Sequence, residues 1–175
     1  MLENKIKETI RDVVDFPKKG IVFKDITPIL ENTVLTAEIA DAFVERSKSL
    51  KPDAILGIES RGFFWGILIA QKMGIPFIPV RKKGKLPYKT ISYKYDLEYG
   101  SAEIEMHEDA VSKGMNVLIH DDLLATGGTA MAAAELVKSQ GANVVGFSFL
   151  VNLTFLEGDQ RLLPYSHQII SLVNY

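Results

Sequence analysis

Val117-Leu-Ile-His-Asp-Asp-Leu-Leu-Ala-Thr-Gly-Gly-Thr129 joins an apolar run, two adjacent carboxylates, a turn of small residues and a helix start. Met115 to Ile119, apolar and partly β-branched after Gly114, reads as a buried parallel strand. Asp121 and Asp122 then fall where that strand ends, at the edge of an open α/β sheet where ligands collect. Two carboxylates there can accept hydrogen bonds from neighbouring sugar hydroxyls. Ala125, Thr126, Gly127, Gly128 and Thr129 carry so little side-chain bulk that successive backbone N–H groups can converge on one anion. The helix formers that follow, Ala130 to Lys138, put this turn at a helix N-terminus, whose free N–H groups favour a phosphate. There is no Gly-Lys-Ser/Thr ending and no G-x-G-x-x-G, which excludes a P-loop and a dinucleotide fingerprint. A bare Thr-Gly-Gly is an ordinary βα turn whose glycines relieve strain; the full run in this order points to a phosphosugar site.

Working outward, Ala54 to Ile58 reads as a buried strand, Gly62 to Met73 as a helix and Ile75 to Val80 as a strand, a βαβ unit. Downstream come a helix from Thr129 to Gln140, a strand from Val144 to Val151, and a last strand near Ile169 to Val173. This alternation predicts an α/β fold with an open, twisted, mainly parallel sheet, right-handed crossovers and flanking helices. Leu2, Ile6, Ile10 and Val13 recur at helical spacing and predict an amphipathic opening helix. A Pro/Gly-punctuated loop from Phe16 to Pro28 follows, then a helix from about Thr36 to Leu50 with Ile39, Ala42 and Phe43 on one face. Tyr88 to Gly100, rich in Tyr and short of core-like runs, reads as a long excursion able to hinge over a site. The 175 residues show no repeat or linker and read as one domain, with residues about 1–34 as a small N-terminal hood.

A formal net charge of −2 exerts no global pull toward nucleic acid or anionic membrane. Absence of cysteine excludes disulfides and thiolate metal sites and fits a reducing compartment. The charged start Met1-Leu-Glu-Asn-Lys lacks the apolar core of a signal peptide, so a cytoplasmic location is expected. Locally the charge is uneven: Arg81, Lys82, Lys83, Lys85 and Lys89 form an acid-free basic cluster. Alone, such a cluster reads as a solvated loop or a nucleic-acid patch. Placed directly after the Ile75–Val80 strand, on the same edge as Asp121, it suits an anionic ligand, with Arg as a planar fork and Lys as point charges. His120, a lone histidine at a strand end, reads as a hydrogen-bonded structural residue.

The 117–129 run resembles the phosphoribosyl pyrophosphate motif of the type I phosphoribosyltransferases, and its Asp122-to-Thr129 part is similar to their adenine-using branch. Phe16 to Pro28, Glu59 to Phe63, and Arg81 to Pro87 with Leu97 to Gly100 fit the same family in order, over nearly the whole chain. The resemblance implies that family's fold, with an N-terminal hood and a flexible loop. It implies transfer of the 5-phosphoribosyl group from phosphoribosyl pyrophosphate to N9 of adenine, giving AMP and pyrophosphate in purine salvage. Mg2+ bound with phosphoribosyl pyrophosphate, without direct protein ligands, and a homodimer are also implied, the aromatic helix 62–73 being one contact to consider.

By resemblance, Asp121, Asp122, Ala125, Thr126, Gly127, Gly128 and Thr129 take the ribose and 5′-phosphate. Glu59, Ser60, Arg61, Arg81, Lys82 and Lys85 take pyrophosphate, and a cis peptide is implied between Glu59 and Ser60. The backbone of Val22 and Lys24 reads the purine edge, while Phe23 and Leu153 cover its faces. Glu98 exchanges a proton with the ring, inside a flexible loop that includes Tyr99. On the residues alone, Glu98 is a solvated loop charge, and Phe23 is equally ordinary core, with Phe155 the other stacking candidate. The chain departs from the family pattern at His120, at Lys24 where Arg is frequent, and at Asn152, which replaces an acid beside the base pocket. Two rivals share the sugar motif: a transferase for another base, xanthine or orotate, and a regulator that senses phosphoribosyl pyrophosphate. The regulator would want a DNA-binding segment, and the sequence shows no basic recognition element.

Overall fold

In the computed structural model, which describes residues 1–96 and 100–175, helix α1 (Leu2–Thr9) leads into an antiparallel hairpin of β1 (Arg11–Val14) and β2 (Val22–Asp25). Helices α2 (Thr27–Glu31) and α3 (Thr33–Ser47) follow, the latter capped by Asn32, whose side chain accepts a hydrogen bond from the Leu35 N–H. The rest runs β3 (Ala54–Ile58), α4 (Gly62–Met73), β4 (Phe77–Lys82), β5 (Thr90–Asp96), β6 (Ser101–His107), β7 (Asn116–Leu124), α5 (Gly128–Ser139), β8 (Asn143–Asn152) and β9 (Ile169–Asn174).

Strands β3, β4, β7, β8 and β9 pair in parallel within a seven-stranded sheet of order β5-β6-β4-β3-β7-β8-β9, and the antiparallel pair β5 and β6 closes one edge. All of β3 is buried, which explains why Ala-Ile-Leu-Gly-Ile is continuously apolar rather than alternating. On one face, Ile6, Ile29, Ile39, Phe43, Trp65 and Ile69 from α1 to α4 pack on Ile55 and Leu118. On the other, the alanines 130 and 132–134 let α5 lie close against Leu56, Ile58, Ile119 and Phe147. Among the described residues no helix is long and apolar enough to cross a membrane.

Four expectations shift. The opening helix stops at Thr9, and Val13 lies in β1 opposite Phe23. Ile10, just past the helix, still buries with Ile6, whereas Val13 in β1 is only partly buried, so the helical spacing marked core positions as far as Ile10. Phe16 to Pro28 is not all loop: Val22–Asp25 pairs with β1, and Pro28 stands in the first turn of α2, where its missing N–H loses nothing. The excursion from Tyr88 to Gly100 contains β5, whose Thr-Ile-Ser-Tyr-Lys-Tyr alternates with the period of a strand and pairs along its whole length with β6. Leu97, Glu98 and Tyr99 lie outside the described residues. Finally, β7 continues past Ile119 to Leu124 because an equally long β8 pairs with it, so Asp121 and Asp122 lie inside the strand.

Candidate active site

The carboxyl ends of β3, β4 and β7 deliver Glu59-Ser60-Arg61, Lys82-Lys83 and Asp121-Asp122 to one cleft of about 470 Å³, which Tyr95 and Thr129 also line. Beside it, residues 123–130 frame a hollow of about 80 Å³, bordered by Asp121 as well. A third space of about 630 Å³ lies by the N-terminal hairpin, lined by its Val22 and Lys24 and by Leu153, Phe155 and Tyr175. Thr126 borders both the hollow and this third space, so the cleft and the third space both adjoin the hollow.

Asp122 is buried, and its Oδ2 lies 2.9 Å from Arg61 Nε. Asp121, half-buried, accepts the Asp122 N–H on Oδ1 at 2.8 Å. Burial pushes both carboxyls up; the neighbouring Asp122 charge adds to the rise at Asp121, and Arg61 opposes it at both. The folded state thus holds the Asp121 proton more tightly than the unfolded chain does. Its contribution to stability is present below the ordinary carboxylate pKa of about 3.9 and is lost as pH rises through the raised folded value. Asp121→Asn removes that loss. Its melting temperature is expected to exceed that of the unchanged protein, by a margin that widens as pH rises above about 3.9; a margin that stays constant or shrinks over that rise would contradict the assignment.

The turn before α5 depends on backbone contact. Gly127 has φ of 79°, and a Cβ on it would stand 2.4 Å from the Gly158 carbonyl oxygen. A Cβ on Gly158 would stand 2.1 Å from the Ala125 carbonyl oxygen and 3.0 Å from the Gly127 nitrogen. Gly158 is therefore the wall behind the hollow, although it lies outside every motif noted in the sequence.

Glu59 organises the basic segment. It accepts from Arg81 Nε at 3.1 Å and from the Lys82 N–H at 2.9 Å, and its peptide bond to Ser60 is cis. Burial alone would raise its carboxyl, yet the Lys82 N–H and Arg81 outweigh burial and hold it below the usual range. Arg81 is turned to Glu59 and donates to the Lys85 carbonyl at 3.0 Å, while Lys82, Lys83 and Arg61 line the cleft itself.

Glu105 was not anticipated. Only 2% exposed, it accepts from the Lys85 and Leu86 N–H groups at 3.0 Å each and from the Thr90 hydroxyl at 3.1 Å. Burial pushes this carboxyl up too, and those donors outweigh it. The available signal was an acid between Ile104 and Met106 in a strand-like run. Glu105→Ala orphans the two backbone donors at about 1–3 kcal/mol each. Denaturant unfolding should register at least about 2 kcal/mol of lost stability; a loss under about 0.5 kcal/mol would mean that water replaces the carboxylate without penalty.

In the space by the hairpin, Lys24 Nζ lies 2.6 Å from Asp12 Oδ1 and 4.1 Å above the Tyr175 ring, an arrangement that fixes one wall. Val22, Lys24 and Leu153 line this space together with Thr126 of the turn, and Asp12 and Tyr175 join them without having been singled out. Phe23 instead packs edge-on against Phe16 at 5.2 Å, with the Arg61 guanidinium 5.1 Å from its ring centre. It links the hairpin to the residue that pairs with Asp122.

His120 is wholly buried, with Nδ1 2.9 Å from Ser148 Oγ and Phe43 edge-on at 4.9 Å. Burial pushes its pKa down to about 3, so it stands neutral beneath the carboxylates, as a structural residue would. Asn152 is buried, and its Oδ1 has no hydrogen-bond partner among the described residues. Glu98 and Tyr99 fall outside the described residues.

The chain that frames these three spaces is similar to a known group of proteins. Residues 25–170 fit the phosphoribosyl transferase domain family. A relative from Cytophaga hutchinsonii, an adenine phosphoribosyltransferase, is 52% identical over 175 residues, covering 100% of this chain and 97% of that protein. The chain belongs to the phosphoribosyltransferase family, on its adenine branch. The crystal structure of adenine phosphoribosyltransferase from Thermoanaerobacter pseudethanolicus superposes with a TM-score of 0.95 at 47% identity, covering 100% of both chains. That of the Saccharomyces cerevisiae adenine phosphoribosyltransferase, complexed with an imino-altritol bisphosphate and adenine, gives 0.91 at 38% identity and covers 98% of each chain. The type I phosphoribosyltransferase fold expected from the strand-carboxylate-turn-helix run is the fold of these neighbours.

Proposed function

We propose that this phosphoribosyltransferase makes AMP and pyrophosphate from adenine and phosphoribosyl pyrophosphate, a purine-salvage reaction. The observation that carries the reading is that the cleft and the hairpin space each adjoin the 123–130 hollow, through Asp121 and Thr126 respectively. A 5-phosphoribosyl group fits this arrangement with its ester phosphate in the hollow, its diol on the carboxylates and C1′ between the cationic cleft and the hairpin space. Membership of the adenine branch supports the choice of base.

In this reading Asp121 and Asp122 accept the ribose hydroxyls, and the N–H groups of residues 125–129 hold the 5′-phosphate. Arg61 and Lys82 face the departing pyrophosphate directly, while Glu59 and Arg81, with the Lys85 carbonyl, brace the segment that carries Lys82. As the C1′ to oxygen bond breaks, negative charge grows on pyrophosphate and positive charge on the sugar. The fixed cations answer the first, and the two carboxylates stand close to the second. The purine lies under the hood of residues about 1–34, its edge read by the backbone of Val22 and Lys24 and one face covered by Leu153, and Glu98 exchanges a proton with the ring.

Among the described residues no three His, Asp or Glu groups converge as a metal site. The reading takes Mg2+ as part of the substrate, held by phosphate oxygens and water and offsetting their charge. It also includes a cytoplasmic homodimer: Phe64 and Ile67 on α4 are 37% and 50% exposed, an apolar face suited to a second copy.

Product formation with adenine, hypoxanthine, guanine, xanthine and orotate tests the proposal. AMP from adenine, far ahead of the others, is expected. Preference for xanthine or orotate would move the base assignment, and no nucleotide from any base would leave a sensor of phosphoribosyl pyrophosphate.

A further inference from the structure

Tyr95 is 8% exposed, near the end of β5, and its hydroxyl lies 3.0 Å from Thr129 Oγ1. Both residues line the cleft with Asp121 and Asp122. The Tyr95 ring lies over the first turn of α5, 3.6 Å from where a Cβ on Gly128 would stand. None of the roles assigned above uses this tyrosine.

Each hydroxyl has one hydrogen to donate and lone pairs to accept. Between Tyr95 and Thr129 alone, either oxygen can be the donor. A phosphate dianion at the turn is an acceptor, and once it takes the Thr129 hydrogen, Thr129 Oγ1 can only accept from Tyr95. The two bonds then point the same way, and each polarises the other.

We propose that Tyr95 is a positioning residue for the 5′-phosphate: it donates to Thr129 Oγ1, aims the Thr129 O–H at the phosphate, and ties β5 to phosphate occupancy. The inference rests on the reading of residues 125–129 as the 5′-phosphate site.

The test uses four proteins, namely the unchanged chain, Tyr95→Phe, Thr129→Val and the double variant, with calorimetric affinities for AMP, adenosine and pyrophosphate. Tyr95→Phe should weaken AMP roughly threefold to tenfold, the range of one hydrogen bond. Adenosine and pyrophosphate, which lack the 5′-phosphate ester, should bind as before, and a general packing defect would not spare them. In the Thr129→Val background, Tyr95→Phe should have no further effect on AMP. Equal losses in both backgrounds, or losses for adenosine as large as for AMP, would overturn the relay. Unchanged AMP affinity in Thr129→Val would overturn the phosphate-site reading itself, a result distinct from failure at Tyr95 alone.

Discussion

Gly158→Ala is expected to lower AMP formation by roughly two orders of magnitude, although Gly158 touches no reacting atom in the proposed complex. Its added Cβ would stand 2.1 Å from the Ala125 carbonyl oxygen and 3.0 Å from the Gly127 nitrogen. Both neighbours are backbone and cannot swing aside as the end of a side chain can. The 125–127 turn must shift instead, by an amount on the order of 1 Å, and misplacement of that size costs roughly a hundredfold in rate. The expected signature is a large rise in KM for phosphoribosyl pyrophosphate, with about 1–3 kcal/mol of lost stability from overpacking. Gly74→Ala is the control: it carries a positive φ that Gly158 lacks, but its Cβ would meet nothing within 4 Å, so activity should be retained. Kinetics of Gly158→Ala within threefold of the unchanged protein would mean that the turn yields freely and its rigid backing is immaterial.

Glu98→Gln should lower turnover by roughly 10²- to 10⁴-fold, the usual worth of a positioned acid or base. Glutamine keeps the shape and hydrogen-bonding reach of glutamate but cannot take or return a proton near neutral pH. Phosphoribosyl pyrophosphate affinity should hardly change, because the carboxylates, the turn and the cations that grip it are elsewhere. Single-turnover measurements separate the chemical step from binding and release. Turnover near that of the unchanged protein would assign proton transfer to another group or to water.

Much of this architecture was legible because burial on both sheet faces leaves a strong pattern. Ala54–Ile58 and Gly62–Met73 match their predicted bounds, since unbroken apolar runs between Gly, Pro and polar punctuation have few other solutions. Hairpin β1–β2 was illegible for the opposite reason: four-residue strands without a single fully buried residue carry little periodicity. Strand β5 was hidden by its tyrosines, which read as surface until pairing with β6 buries Tyr95. Within the site, Asp121 and Asp122 were found because adjacent acids at a strand end are conspicuous. Glu105 and Gly158 were missed because their roles exist only in three dimensions. One accepts backbone donors from a segment about twenty residues earlier, and the other touches a turn about thirty residues away.

The central claim is the seating of one nucleotide across three adjoining spaces, and a crystal structure of the protein with AMP tests it most directly. The account predicts phosphate oxygens within hydrogen-bond reach of the N–H groups of residues 126–129, ribose hydroxyls on Asp121 and Asp122, and the purine with its edge on the backbone of Val22 and Lys24 and one face on Leu153. A nucleotide bound away from the 123–130 hollow, or turned so that its phosphate lies among Arg61 and Lys82 and its base at the turn, would contradict it.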